Sequence, residues 1–163
     1  MPTQLPVPVE FALPDGWLPV PPDVLGAPDA AFVAVQWATH GSGFSANITI
    51  DGQVRPAADS LTDLADEMLA DLLAVSPDAV LVDRDQNTSL DVPALTQKVR
   101  LSAVVNGVGY ELVQAQVYLS MADSAGESLR AVVRTMLTAT EEQFPALIGD
   151  FTEFLGTLRL EQY

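Results

Sequence analysis

Asp83 and Asp85 flank Arg84, and His40 is the only histidine in the chain; these residue types could do acid–base chemistry. Side chains alternate along a strand, so Asp83 and Asp85 would share one side as a carboxylate pair. The same spacing also suits the solvated end of a loop. His40 opens the run His40-Gly41-Ser42-Gly43. A catalytic triad would need a nucleophile and an orienting acid brought to it from elsewhere in the fold. The glycine run lacks the lysine of a phosphate-binding loop and opens no helix. One histidine and no cysteine leave zinc without a ligand set. The missing thiols also exclude disulfides, thiolate nucleophiles and iron–sulfur ligation. Asp63, Asp66, Glu67 and Asp71 lie in a helical stretch without the glycine turn of a calcium loop. No catalytic, metal or cofactor residue is assigned.

The scarce basic residues are more informative. Twenty-two acids stand against seven basic residues, for a formal net charge of −15. Lys98 and Arg100 alternate with Val99 and Leu101, and Arg130 and Arg134 alternate with Ala131 and Val133. Between those two strands, Gln114, Gln116 and Tyr118 oppose Val113, Ala115, Val117 and Leu119. Alternation therefore allows four of the seven basic residues to share one polar sheet face with the glutamines and the tyrosine. Such a face can grip a peptide, a helix or an acidic ligand. It can equally balance acids from a covering helix or loop, where each surface pair is worth about 0–1 kcal/mol. A one-residue slip in either strand sends its charges to the other face.

The elements that must position these residues follow from periodicity and turn chemistry. Residues 1–28 carry eight prolines and are expected to run extended along an edge, with only Val9 to Leu13 able to pair. Pro14-Asp15-Gly16 makes a turn, and the Trp17 ring closes over an edge of the core. Ala31 to Trp37 reads as a buried strand and Phe44 to Ile50 as an alternating one, joined by the His40 loop. Leu61 to Val75 reads as an amphipathic helix, with Ser60 and Asp63 as a capping box and Leu61, Leu64, Met68, Leu72 and Val75 as its stripe. Ala79 to Val82 is a short strand, and Asp83 to Pro93 a polar loop. Leu95 to Val105, Tyr110 to Met121 and Leu129 to Ala139 form a meander, turning at Asn106-Gly107 and at Asp123 to Gly126. A last helix runs from Thr140 to about Leu158, its core starting at Pro145 as a first-turn residue. Its apolar face is Phe144, Leu147, Ile148, Phe151, Leu155 and Leu158.

The 163 residues fit one domain, spanning 1–163. Antiparallel strands with few helices indicate an α+β class, an antiparallel sheet flanked by helices. The acidic field repels phosphate backbones and anionic membranes, so nucleic acid and membrane insertion are not expected. No run reaches the 18 apolar residues of a membrane span, and Met1 to Pro8 has no basic residue before an apolar run, as a secretion signal would. A cytoplasmic protein, monomeric or homodimeric, is the expectation.

The strand-Pro-x-Gly-Trp opening, the hairpin, helix, meander and terminal helix ending Phe154-Leu-Gly-Thr-Leu-Arg-Leu160 resemble the PsbP/Mog superfamily. The chain is most similar to its actinobacterial branch, the LpqN-type lipoproteins and their unlipidated relatives. It departs from the lipoprotein pattern by lacking a lipid-bearing cysteine. The resemblance implies an α/β/α sandwich and a role in protein binding. The expected function is a non-enzymatic protein-interaction or chaperone-like module. Its site would be the polar face of Lys98, Arg100, Gln114, Gln116, Tyr118, Arg130 and Arg134, and its partner an unidentified protein. A small-molecule or lipid-binding domain with a pocket between sheet and helices is the alternative, and an enzyme of unrecognised type the third reading.

Overall fold

Residues 112 to 119 bury side chains of both parities: Val113, Val117 and Leu119 on one side, Leu112 and Tyr118 on the other. A strand buried on both faces requires cover above and below its sheet. The structure, a computed structural model, describes residues 9–21, 30–39, 44–56, 58–87, 94–105, 107–121 and 129–160. His40 and its glycines, Asn106, the turn at 123–126, Pro93 and five of the eight N-terminal prolines lie outside the described residues.

The elements are β1 (Val9–Glu10), β2 (Trp17–Val20), β3 (Phe32–Gln36), β4 (Asn47–Pro56), α1 (Leu61–Val75), β5 (Val80–Asn87), β6 (Ala94–Val105), β7 (Val108–Met121), β8 (Leu129–Thr140), α2 (Phe144–Thr157) and β9 (Arg159–Leu160). Seven strands form one sheet in the order β2-β3-β4-β8-β7-β6-β5, every neighbour antiparallel. β1 and β9 form a separate two-stranded pair. The expected α+β architecture, an antiparallel sheet flanked by helices, is what the chain adopts.

Each helix covers one face. Leu61, Leu64 and Ala65 of α1 pack with Leu95, Tyr118 and Val132. Leu147, Phe151 and Phe154 of α2 pack with Val117, Ala131, Val133 and Leu137 on the other side. The α1 cap forms in both directions: Asp63 N–H donates to Ser60 Oγ at 3.0 Å, and Ser60 N–H donates to Asp63 Oδ2 at 3.4 Å. Trp17 is buried and its indole N–H donates to Asp150 Oδ2 at 2.9 Å, pinning β2 to α2. Gly107 supplies the positive φ of the two-residue turn between β6 and β7, and Val105 pairs with Val108 across it.

Several expectations are corrected. Trp17–Val20 is a strand despite Pro19, because β2 is the sheet's edge and an edge tolerates a missing donor. Within the segment expected to pair at Val9 to Leu13, only Val9–Glu10 is a strand. Asp83 to Asn87 extends β5 instead of forming a loop, since an edge strand can hold its charges in water. The last helix begins at Phe144 and not at Thr140: Thr140 and Gln143 exchange backbone-to-side-chain bonds of 2.9 and 3.1 Å that close the turn before it. α2 stops at Thr157, and Arg159–Leu160 returns to pair with β1. Val75, the last member of the predicted α1 stripe, is 79% exposed.

Phe154 is fully buried, and Phe11 meets it edge-on at 5.4 Å between ring centroids. Phe154→Ala should lower the unfolding free energy by about 3–5 kcal/mol. Urea unfolding checks this, and a loss near zero would contradict the packing of α2.

Candidate functional site

The register divides the predicted polar face. Gln116 pairs with Gln97 on β6 and Met136 on β8, and Tyr118 pairs with Leu95 and Arg134. Gln114, Gln116, Tyr118 and Arg134 therefore lie on the α1 side. Lys98 pairs with Ala115 and Arg100 with Val113, which sends both cations to the α2 side. Arg130 stands opposite Arg55 in the register of β4 and β8. The expected gathering of four basic residues on one face is thus corrected by a parity difference of one residue.

The α1-side residues form a closed network. Asp66 of α1 accepts from Arg84 Nη1 at 2.6 Å, and Arg84 Nε donates to Gln97 Oε1 at 2.9 Å. Gln97 Nε2 donates to Gln116 Oε1 at 2.7 Å, and the Tyr118 hydroxyl donates to the same oxygen at 2.8 Å. Gln116 Nε2 donates on to Gln114 Oε1 at 3.0 Å. Arg134 pairs with Asp51 across β8 and β4, Nε to Oδ1 at 3.1 Å, and Nη1 reaches Met68 Sδ at 3.3 Å. Gln97, Gln116 and Tyr118 are buried. Arg55 donates to Glu67 of α1 at 3.2 Å. The acids of the covering helix are balanced by Arg55 and Arg84, neither of which belonged to the predicted face, while Arg134 takes its carboxylate from β4. Burial raises the Tyr118 hydroxyl above its ordinary pKa. Burial alone would lower the Arg134 pKa; the Asp51 carboxylate outweighs it, and the net shift is upward.

On the opposite face α2 lies mainly against β8, and the β6 side is left open. A groove of about 560 Å³ runs between α2 and strands β5 to β7. Ala115 and Val117 form its floor, Phe144, Ile148, Phe151 and Leu155 its apolar wall, and Asp83, Thr96 and Lys98 its polar side. Phe144, Ile148 and Leu155 are only half-buried, although periodicity placed them in the core. Phe154, absent from that predicted face, is the residue fully inside. The signal was present in the sequence: the apolar stripe of α2 is wider than one sheet contact needs.

A second exposed feature gathers at one end of the sheet. Eight of the eleven exposed large apolar side chains among the described residues lie there. Leu73 and Val75 end α1, Val80 to Val82 begin β5, and Val104, Val105 and Val108 surround the β6–β7 turn. On the α1 side of this end Leu72, Ala79, Leu101, Ala103 and Tyr110 pack as one cluster, while Val80 and Val104 share the parity of Arg100 on the other face. β5 is also a sheet edge, and its register shifts between Leu81 and Asp83.

Asp83 and Asp85 are both exposed on β5, opposite Lys98 and Thr96. Asp83 Oδ1 accepts the N–H of Arg84 at 3.0 Å. Among the described residues no group of three or more His, Asp or Glu side chains could hold a metal ion, and no helix is long and apolar enough to cross a membrane.

The chain matches no protein-family model and no curated protein sequence. Solved structures do match it. LpqN of Mycobacterium tuberculosis, described as involved in cell envelope biogenesis, has a TM-score of 0.65 at 12% identity, covering 94% of this chain and 83% of LpqN. The cyanobacterial PsbP (CyanoP) of Synechocystis has a TM-score of 0.59 at 17% identity, covering 94% and 86%. The Ran-binding protein Mog1p of Saccharomyces cerevisiae has a TM-score of 0.55 at 11% identity, covering 93% and 89%. The likeness at these identities is one of fold, and the fold is PsbP/Mog-like.

Two outcomes follow from the α1-side network. Tyr118 is held neutral in the folded state, so its contribution is present below about pH 10 and lost as pH rises through the raised value. Wild-type stability should therefore fall more steeply above about pH 10 than that of Tyr118→Phe in urea unfolding; parallel curves would mean that Tyr118 ionises freely. Arg134→Glu puts a second carboxylate beside Asp51 and should cost about 3 kcal/mol or more. A neutral result in the same assay would remove Arg134 from the folding network.

Proposed function

We propose that this chain is a non-enzymatic protein-interaction module whose partner docks on the apolar end formed by α1, β5 and the β6–β7 turn. The concentration of exposed valines and leucines there is the observation that carries this reading. Scattered apolar side chains are ordinary on a protein surface, whereas a gathered set next to an open strand edge is a docking feature. Asp71 of α1, Asp78 before β5 and Glu111 of β7 are exposed on the elements that form it, so the partner offers an apolar contact with a basic rim. The polar face under α1 is left to scaffolding, because the helix covers it. A chaperone-like role fits the same surface. The fold neighbours support protein binding in general terms, one of them being a Ran-binding protein. Kinship with the LpqN-type branch and residence in the cytoplasm belong to the same proposal, the former resting on the Phe11 to Trp17 opening and the Phe154 to Leu160 ending.

A photo-crosslinking side chain at Val104 should give one adduct of defined mass in the source cells. Val82→Asp should abolish that adduct, and the same crosslinker at Val54, exposed on β4, should give none. Affinity for the isolated partner should fall as salt rises. An adduct from Val54 but not from Val104 would place the docking surface elsewhere.

A further inference from the structure

The α2-side groove is separate from the apolar end and has its own chemistry. Its volume of about 560 Å³ falls within the roughly 300–1,000 Å³ of small-ligand sites. A helical peptide is a poor fit: two turns of a helix about 10 Å across need roughly 850 Å³. The half-buried Phe144, Ile148 and Leu155 line one side of α2 over twelve residues, a run of roughly 17 Å at about 1.5 Å per step. This is a strip for a flexible hydrocarbon chain.

Lys98 marks the Phe144 end of that strip. Its Nζ lies 5.3 Å from the centroid of the Phe144 ring. No carboxylate comes within 4.0 Å of it among the described residues. Arg55, Arg84, Arg100, Arg134 and Arg159 each have such a partner. In a chain with a net charge of −15, an ammonium that makes no ion pair among the described residues, at the head of an apolar groove, is a specific feature. Asp83, opposite Lys98 on β5, also lines the groove, and its Oδ1 takes the Arg84 N–H. The single ammonium of the lining can match one negative charge, which suits a singly charged headgroup better than a phosphate dianion.

We propose that this groove binds a long-chain monocarboxylate, with the carboxylate on Lys98 and the acyl chain along Phe144, Ile148 and Leu155 over the Ala115 floor. Delipidated protein titrated calorimetrically with dodecanoate, below its micellar concentration, should bind one equivalent saturably. Lys98→Ala should weaken dodecanoate about tenfold, the scale of one charge-assisted hydrogen bond. Dodecanol should bind wild type and Lys98→Ala alike. Thr152→Trp, a change on the exposed groove side of α2, should block both ligands. Unchanged circular dichroism and melting temperature identify the variants as folded. Absence of saturable dodecanoate binding to wild type overturns the site. Equal dodecanoate affinity in wild type and Lys98→Ala overturns it as well, as does binding that survives Thr152→Trp.

Discussion

Buried polar groups need partners, and on one face of this sheet a helix supplies carboxylates for two guanidiniums. Arg55 reaches Glu67, Arg84 reaches Asp66, and Arg134 joins Asp51 beside Met68. Two of the three guanidiniums take their carboxylates from α1, and the third packs under it. The helix is therefore positioned by charge as well as by Leu61, Leu64 and Ala65. Gln97 and Gln116 complete the arrangement by bonding across β6 and β7, a contact that exists in only one strand register. Polar residues on this face specify alignment, while apolar residues supply the burial.

That closure decides where the molecule can meet others. With α1 packed over Leu95, Tyr118 and Val132, two further surfaces are the half of the other face that α2 leaves uncovered and the end where α1, β5 and the β6–β7 turn finish. The two surfaces differ in kind. One is a concave strip with a single ammonium; the other is an end of exposed valines and leucines. A long anionic chain and a basic-rimmed protein would not compete for them.

Much of the architecture was legible in the residues. The two helices, the β6–β7–β8 meander, the Ser60–Asp63 cap and the two-residue turn at Gly107 follow from local rules that tertiary packing did not override. Parity across strands was less accessible. Lys98 and Arg134 each alternate correctly on their own strands, but alternation within a strand does not fix which residues meet across the next one. The same limit applies to β2, where Pro19 reads as a breaker until its edge position is known. The groove was visible only as an excess. Phe144, Ile148 and Leu155 made the α2 stripe wider than its sheet contact, and the sequence does not say which half of a stripe the sheet will take.

The pairing of β1 with β9 bears on the order of assembly. Val9 meets Leu160, and the Ala12 N–H donates to Thr157 Oγ1 across 145 residues of chain. Closing so long a loop before the intervening sheet exists is entropically unfavourable, so this clasp closes after the seven strands have brought the two ends together. It is also short, four residues in all, and solvent reaches its Arg159–Glu10 ion pair. The element that joins the beginning of the domain to its end is thus expected to form late, and what it holds in place is Phe11, packed against Phe32 of the sheet and Phe154 of α2.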